Sequence, residues 1–168
     1  MVPTFTLEST GSGKLFGMDA IDRKILAELQ EDGRLTVTEL AERVQLSISP
    51  CHRRVRALER SGAIAGYRAY LNAQALGLTF ESLVFATMTA GDRATIESFE
   101  SAVAAIPNVL EAHRLFGDPD YLLRVIARDL PDFQHIYDTH LMVLPGVQRL
   151  TSTLVMKTIT QHRPLPLT

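Results

Sequence analysis

The sequence predicts an α+β fold in two parts, an N-terminal winged helix-turn-helix and a C-terminal ferredoxin-like βαββαβ sandwich. Apolar residues recur at helical spacing in three short segments between residues 19 and 62. From residue 81 to 159, the segments follow in the order strand, helix, strand, strand, helix, strand. We therefore divide the chain into a flexible N-terminal arm (1–17), a helix-turn-helix (18–63), a strand and linker (64–77) and a second domain (78–168).

The first two helices have clear start signals. Asp19 is placed to cap a helix that Asp32 and Gly33 end. Thr36 and Glu39 have the spacing of a capping box at the start of a short second helix.

The third helix follows after a tight turn. Ser47 or Ser49 caps it, and Pro50 lies in its first turn, where proline is tolerated. Its buried stripe consists of Cys51, Val55 and Leu58. Alternation over residues 63–71 then predicts a strand.

The second domain reads as four strands and two helices. Its first strand, residues 81–90, is apolar on both faces, which predicts a central strand that is covered on both sides. The turn at residues 117–120 joins two strands into a hairpin. The remaining predicted elements are a helix at 96–106, strands at 109–116, 121–128 and 147–159, and a helix at 133–144.

Composition excludes several classes of protein. The chain has 168 residues, 46% of them hydrophobic and 21% charged, and no apolar run approaches the roughly 20 residues of a membrane helix. Cys51 is the only cysteine, which fits a reducing compartment and excludes a disulfide framework or a cysteine zinc site. We expect a cytoplasmic protein with no membrane partner.

Basic charge is concentrated around the third helix. Residues 47–70 contain five arginines and one glutamate, although the whole chain has a net charge of -2. With the buried stripe facing inward, Ser49, Arg53, Arg56 and Arg60 point the opposite way and His52 lies at the edge of that face. Arg54 falls beside the stripe, so we expect it to pack or pair inside the domain.

This surface favours contact with double-stranded DNA over an ordinary solvated face, because three arginines share one face just after a capped turn. The start of a recognition helix meets base edges, which predicts base contacts for Ser49, His52 and Arg53. Arg56 and Arg60 are expected to bind phosphates. The complete predicted DNA-binding set is Thr36, Ser47, Ser49, Pro50, His52, Arg53, Arg56 and Arg60.

From residue 19 to about 167 the sequence resembles the Lrp/AsnC (feast/famine) family of transcriptional regulators. The segments that carry the resemblance are 21–26, 32–34, 40–41, 47–51, 53–59, 66–67, 117–123 and 144–147. Ile48 departs from the pattern, since the family commonly has proline after the serine.

The resemblance implies a regulator in which residues 78–168 form the effector-binding and oligomerisation domain, and we expect no cofactor. Family members dimerise through the sheet and often assemble further, so we expect a homodimer that forms a higher oligomer such as an octamer. Family members bind amino acids at the contact between dimers, around the hairpin loop. The predicted effector-binding residues are Gly117, Asp118, Pro119, Asp120 and Tyr121 of this loop, together with Thr139 and Met142 of the second helix of the domain.

The hairpin loop has the chemistry for this task. Asp118 or Asp120 can pair with an ammonium group, and turn N–H groups near Gly117 can receive a carboxylate. From the residues alone, however, a plain hairpin turn is the simpler interpretation. Met142 is predicted to point away from the sheet, with Thr139 beside it, as suits a subunit interface.

An enzyme is not expected. His135 and His140 are five residues apart, a spacing that does not align two metal ligands on a helix, and we expect His140 in the core. No metal site, nucleophile elbow, phosphate loop or dinucleotide fingerprint is recognisable. We therefore predict a sequence-specific DNA-binding regulator that responds to an amino acid; the alternative is a metabolite-binding oligomeric module that does not bind DNA.

Overall fold

The computed structural model describes residues 17–89 and 92–167, and of the predicted arm only Gly17 lies among them. The described chain forms two compact units, residues 17–69 with 162–167, and residues 70–161. Residues 64–69 and 162–167 therefore join the first unit, unlike in the division drawn from the sequence. The reason is packing, since Ile64 and Leu167 contact the apolar cluster of the helices. No helix among the described residues is long and apolar enough to cross a membrane.

The first unit contains the three predicted helices, α1 (Ala20–Glu31), α2 (Val37–Arg43) and α3 (Ile48–Arg60). The Asp19 carboxylate accepts the Asp22 N–H at 2.8 Å and so caps α1. Thr36 and Glu39 form the predicted capping box of α2. Between the helices lies a small apolar core made of Ile25, Leu26, Leu40, Ala41, Val44, Cys51, Val55 and Leu58.

Two local predictions for this unit need correction. Ser47 is the N-cap residue of α3, but its hydroxyl makes no capping hydrogen bond. Residues 63–71 do not form the predicted strand. A strand requires a neighbouring chain segment for its backbone groups, and no described strand pairs with this segment.

The second unit has the predicted order of elements. It contains β1 (Phe80–Met88), α4 (Arg93–Ala104), β2 (Val109–Arg114), β3 (Tyr121–Ala127), α5 (Leu130–Ile136) and β4 (Val147–Leu154), with a π-helical turn at Tyr137–Leu141. The four strands form one antiparallel sheet in the order β2-β3-β1-β4. This arrangement confirms the α+β, ferredoxin-like prediction.

Strand β1 has a covered face and an open face. Ser82, Val84 and Ala86 are buried, and the latter two lie in the cluster that contains the helix residue Phe99. Leu83 and Phe85 alternate with them on the other face and are only half-buried. The central position of β1 is therefore confirmed, but the described residues cover only one side of the strand.

Strand β4 is shorter than predicted, because its partner ends. Leu154 pairs with Ser82 near the start of β1, and Val155 donates its N–H to the Glu81 carbonyl at 2.9 Å. Beyond this hydrogen bond, residues 156–159 form no strand.

The predicted helix at 133–144 changes its winding after Ile136. The π-helical turn shifts the positions that face the sheet, so Leu141 is buried and His140 is exposed. The expectation of a core histidine at 140 is thus wrong. Met142 has 60% of its side chain exposed, in agreement with its predicted outward orientation.

Candidate DNA-binding and ligand-binding surfaces

The exposed face of α3 carries the side chains that were predicted to bind DNA. The side chains of Ser49, His52, Arg53, Arg56 and Arg60 are all exposed, while the opposite face packs into the core of the first unit. Thr36 and Ser47 are also exposed and Pro50 is half-buried. The face that points away from the core therefore combines hydroxyl, imidazole and guanidinium groups, the donors that read bases and phosphates.

Arg54 fixes α3 against α1 and takes no part in this face. Its Nη1 lies 2.7 Å from Asp22 Oδ1 and 2.8 Å from Asp19 Oδ2. The hydrogen bond from the Asp22 N–H, together with Arg54, lowers the pKa of the Asp19 carboxyl group. The hydrogen bonds to Asp22 and Asp19 raise the pKa of Arg54. The predicted internal pairing of Arg54 is confirmed.

The exposed arginines of α3 differ in their partners. Arg56 Nη1 lies 3.3 Å from Glu59 Oε2, and the Tyr67 hydroxyl donates to Glu59 Oε1 at 3.4 Å. Neither Arg53 nor Arg60 has an ion pair within the part of the chain that the structure describes. Arg53 and Arg60 can therefore contact a polyanion without giving up an existing salt bridge, whereas Arg56 shares its charge with Glu59.

In the second unit, backbone hydrogen bonds hold the hairpin loop between β2 and β3. Leu115 donates its N–H to the Asp120 carbonyl at 2.7 Å, and Asp120 donates its own to the Ala86 carbonyl at 3.0 Å. The Asp120 carboxylate accepts the Met88 N–H at 2.7 Å, which ties the loop to the end of β1. Gly117 has a φ of 131°, a backbone conformation that favours glycine.

Asp118 and Asp120 point into different clefts. Asp118 Oδ1 accepts the Thr87 hydroxyl at 3.2 Å and lies 3.9 Å from Arg149 Nη2. It lies at a cleft of about 320 Å³ on the open face of the sheet, together with Phe85, Thr87, Pro119, Arg149 and Thr151. We call this cleft the open-face cleft.

Asp120 lies at a cleft on the other side of the loop, which we call the helix-side cleft. This cleft has a volume of about 390 Å³ and is lined by Met88, Thr89, Thr95, Ile96, Arg114, Asp120 and Tyr121. It brings one guanidinium and one carboxylate together with hydroxyl and apolar groups. Those groups match an α-amino acid, which has a carboxylate, an ammonium and a side chain.

A polar cluster supports one wall of the helix-side cleft. The Tyr121 hydroxyl donates to Glu100 Oε1 at 2.7 Å, and Arg114 Nη1 lies 3.8 Å from the same oxygen. Burial and the neighbouring Glu100 carboxylate raise the pKa of Tyr121 to about 12. Sequence reasoning missed Arg114, Thr95 and Met88 because they come from three separate elements, and only the strand pairing of Arg114 with Tyr121 gives a signal.

The other predicted effector residues lie apart from the loop. Thr139 is exposed and donates its hydroxyl to the His135 carbonyl at 2.6 Å, and no described contact joins Thr139 or Met142 to the hairpin loop. The described residues contain no cluster of three side chains that could hold a metal ion.

Two different protein-family models match the two units of the chain. Residues 18–65 match the family described as winged helix-turn-helix DNA-binding, and residues 81–165 match the Lrp/AsnC ligand binding domain. These matches define a DNA-binding transcriptional regulator with a ligand-binding domain, a class of protein that is not an enzyme. The chain belongs to the Lrp/AsnC family.

Individual relatives match both units. The leucine-responsive regulatory protein of Rhizobium meliloti is 42% identical over 142 residues, which cover 84% of this chain and 91% of the relative. The leucine-responsive regulatory protein of Escherichia coli strain K12 is 40% identical over 148 residues, covering 88% and 90%. A transcriptional regulator from Neisseria meningitidis, crystallised with L-methionine, has a TM-score of 0.85 and 38% identity, covering 89% and 97%.

Proposed function

We propose that this regulator acts in the cytoplasm as a homodimer that inserts α3 into the major groove, and that it responds to an amino acid with an uncharged side chain. The exposed arginine face of α3 is the observation that supports the DNA contact. The relatives described as leucine-responsive and the relative crystallised with L-methionine suggest L-leucine and L-methionine as the first effectors to test.

In this proposal the DNA contacts are Thr36, Ser47, Ser49, Pro50, His52, Arg53, Arg56 and Arg60. Arg53 lies near the start of α3 and reads bases, whereas Arg60 lies at its end and binds phosphate. We expect Arg53→Ala to weaken specific binding by about 1 to 3 kcal/mol and scrambled DNA less. Arg60→Ala should weaken both similarly. Equal losses on both DNAs for both variants, measured by fluorescence anisotropy, would reject these roles.

A gel shift with the DNA upstream of its own gene tests the DNA contact itself. Binding that weakens steeply with salt supports the regulator, because each phosphate contact releases counterions. A protein that binds an amino acid but retards no DNA would instead be the metabolite-binding module.

We place the effector at the hairpin loop, with Gly117, Asp118, Pro119, Asp120 and Tyr121 as its contacts and with Thr139 and Met142 acting across a subunit contact. We favour the helix-side cleft over the open-face cleft because Asp118 already lies 3.9 Å from Arg149 in the open-face cleft, whereas no ion pair among the described residues joins Asp120 to Arg114, which both line the helix-side cleft. The Asp120 carboxylate would pair with the ammonium and Arg114 with the carboxylate. Met88 and Ile96 would contact an apolar side chain.

Asp120→Asn and Asp118→Asn form a matched pair for this site. Each keeps the shape and removes one charge, and the amide oxygen of asparagine at position 120 can still accept the Met88 N–H. Loss of one partner of a desolvated charged hydrogen bond costs about 2 to 5 kcal/mol. We expect Asp120→Asn to weaken L-leucine or L-methionine binding more than about tenfold by calorimetry, with Asp118→Asn much less affected. If only Asp118→Asn loses affinity for the amino acid, the ammonium binds in the open-face cleft instead. If neither variant loses affinity, the loop is a plain turn that does not hold the ammonium.

The open face of the sheet supports assembly into a dimer and then a larger oligomer such as an octamer. Leu83 and Phe85 of β1 and Leu122 of β3 share this face and are only half-buried. A second copy would remove their apolar surface from water. Light scattering of residues 78–168 at micromolar concentration should detect an oligomer, and a monomer would contradict the proposal.

A further inference from the structure

Residues 162–167 follow the last strand of the second unit, yet they pack on helix α1 of the first unit. Leu165 donates its N–H to Gln30 Oε1 at 2.6 Å and accepts the Gln30 Nε2–H at 3.3 Å. Leu167 is half-buried against the apolar core of the helices. We call residues 162–167 the strap.

The sequence of the strap suits this contact. Pro164 and Pro166 lack an N–H, so Leu165 is the one residue from 164 to 166 that can both donate and accept through its backbone. The side-chain amide of Gln30 offers the matching acceptor and donor. The prolines also restrict the undocked segment, which reduces the conformational entropy lost when it docks.

Helix α1 connects the strap to the DNA-binding surface. Gln30 lies in its last turn, while Asp19 and Asp22 at its start hold Arg54 of α3. Gln30 and the two carboxylates that hold Arg54 therefore lie at opposite ends of the same 12-residue helix.

We propose that the strap is a second tie between the two units, through which the ligand-binding unit controls the position and stability of α1 and hence of α3. The chain passes between the units twice, near residues 69–70 and again near 161–162. Because the strap is bound to α1, the segment that leaves the second unit near residue 161 ends at a fixed point on the first unit. Its link to an amino acid rests on the proposed function, whereas its docking on α1 does not.

Leu167→Ala and Leu165→Ala test the strap as a matched pair. Leu165 has 72% of its side chain exposed and bonds through its backbone, so alanine preserves its contact. Alanine at 167 removes packing against the core. Gln30→Ala removes the amide contact from the other side.

The first readout is hydrogen exchange of the α1 amides in the full chain. We expect exchange about tenfold faster in Leu167→Ala and in Gln30→Ala than in wild type, with Leu165→Ala unchanged, because a lost contact of about 1.4 kcal/mol is a factor of ten. Equal exchange in all four proteins would overturn docking of the strap.

The second readout is DNA affinity with and without L-leucine or L-methionine. Couplings of this kind change affinity by roughly 5- to 150-fold. We expect wild type and Leu165→Ala to keep the ligand-induced change, and Leu167→Ala to bind the amino acid by calorimetry but lose the change. A full response in Leu167→Ala would overturn the coupling. If neither amino acid changes the DNA affinity of wild type, the proposed effectors are wrong. The hydrogen-exchange result then still decides whether the strap docks on α1.

Discussion

In the first unit, the charged groups project from one face of a regular helix, with a small apolar core directly behind them. In the second unit, they lie where strands end, and the Asp120 carboxylate already accepts a backbone N–H. A helix face presents an extended row of donors to a long polyanion. Strand ends enclose a cleft of the size of a small molecule. Because the two units have separate apolar cores, we expect each unit to stay folded when the core of the other is perturbed.

The largest expected effect comes from removing a core side chain in either unit. Phe99 and Ile25 are both fully buried and belong to different apolar clusters. Phe99→Ala should destabilise the second unit by about 3 to 5 kcal/mol, and Ile25→Ala the first by about 2 to 5 kcal/mol. Hydrogen exchange resolved by residue would measure each change. If either variant loosens both units equally, the units unfold as one.

A smaller effect is expected from neighbouring arginines of α3. Arg54→Ala removes the ion pairs to Asp19 and Asp22 and should lower the temperature of unfolding of the first unit. Arg53→Ala, the matched control, should not. Because the folded pKa of Asp19 is lowered, its contribution is present above about pH 4 and is lost as the pH falls below that value. The unfolding temperature of the first unit should therefore fall less on acidification in Arg54→Ala than in wild type. If Arg54→Ala and Arg53→Ala unfold at the same temperature at neutral pH, Arg54 does not stabilise the unit through these ion pairs.

The smallest effect concerns Tyr121 in the second unit. Its raised pKa, about 12, means that folding favours the neutral phenol. The stability it provides is complete below pH 10 and is lost as the pH rises towards 12. Tyr121→Phe should cost about 0.5 to 1.5 kcal/mol at pH 7, since it removes the bond to Glu100. Between pH 8 and pH 11, the free energy of unfolding measured with urea should fall less in Tyr121→Phe than in wild type. An equal fall in both proteins would contradict this role of Tyr121.

Local chemistry explains which features of the fold could be predicted. Asp19, the Thr36 and Glu39 pair and the turn at 117–120 act through neighbours within a few residues, so their patterns stand in the sequence. The orientation of Arg54 followed from helical periodicity alone. The strand predicted at residues 63–71 is absent because an alternating pattern does not provide a neighbouring strand to pair with. The prediction that His140 lies in the core was wrong because it assumed α-helical periodicity, which the π-helical turn at Tyr137–Leu141 interrupts.

The two candidate sites also differ in how far their residues could be predicted from the sequence. The candidate DNA contacts on α3 share one helix, so their common face is fixed by spacing. Arg114 and Thr95 meet Asp120 only after α4 and β2 have packed around the end of β1. Their positions depend on tertiary contacts that no short segment of sequence contains.

Cys51 gives the first unit a built-in reporter. It is the only cysteine of the chain, it is fully buried on the inner face of α3, and burial raises the pKa of its thiol. A thiol reagent needs both access and a thiolate, so it can modify Cys51 only when the three helices separate. The labelling rate, followed with and without DNA or an amino acid, would therefore measure how often the recognition helix leaves its core, without any engineered probe.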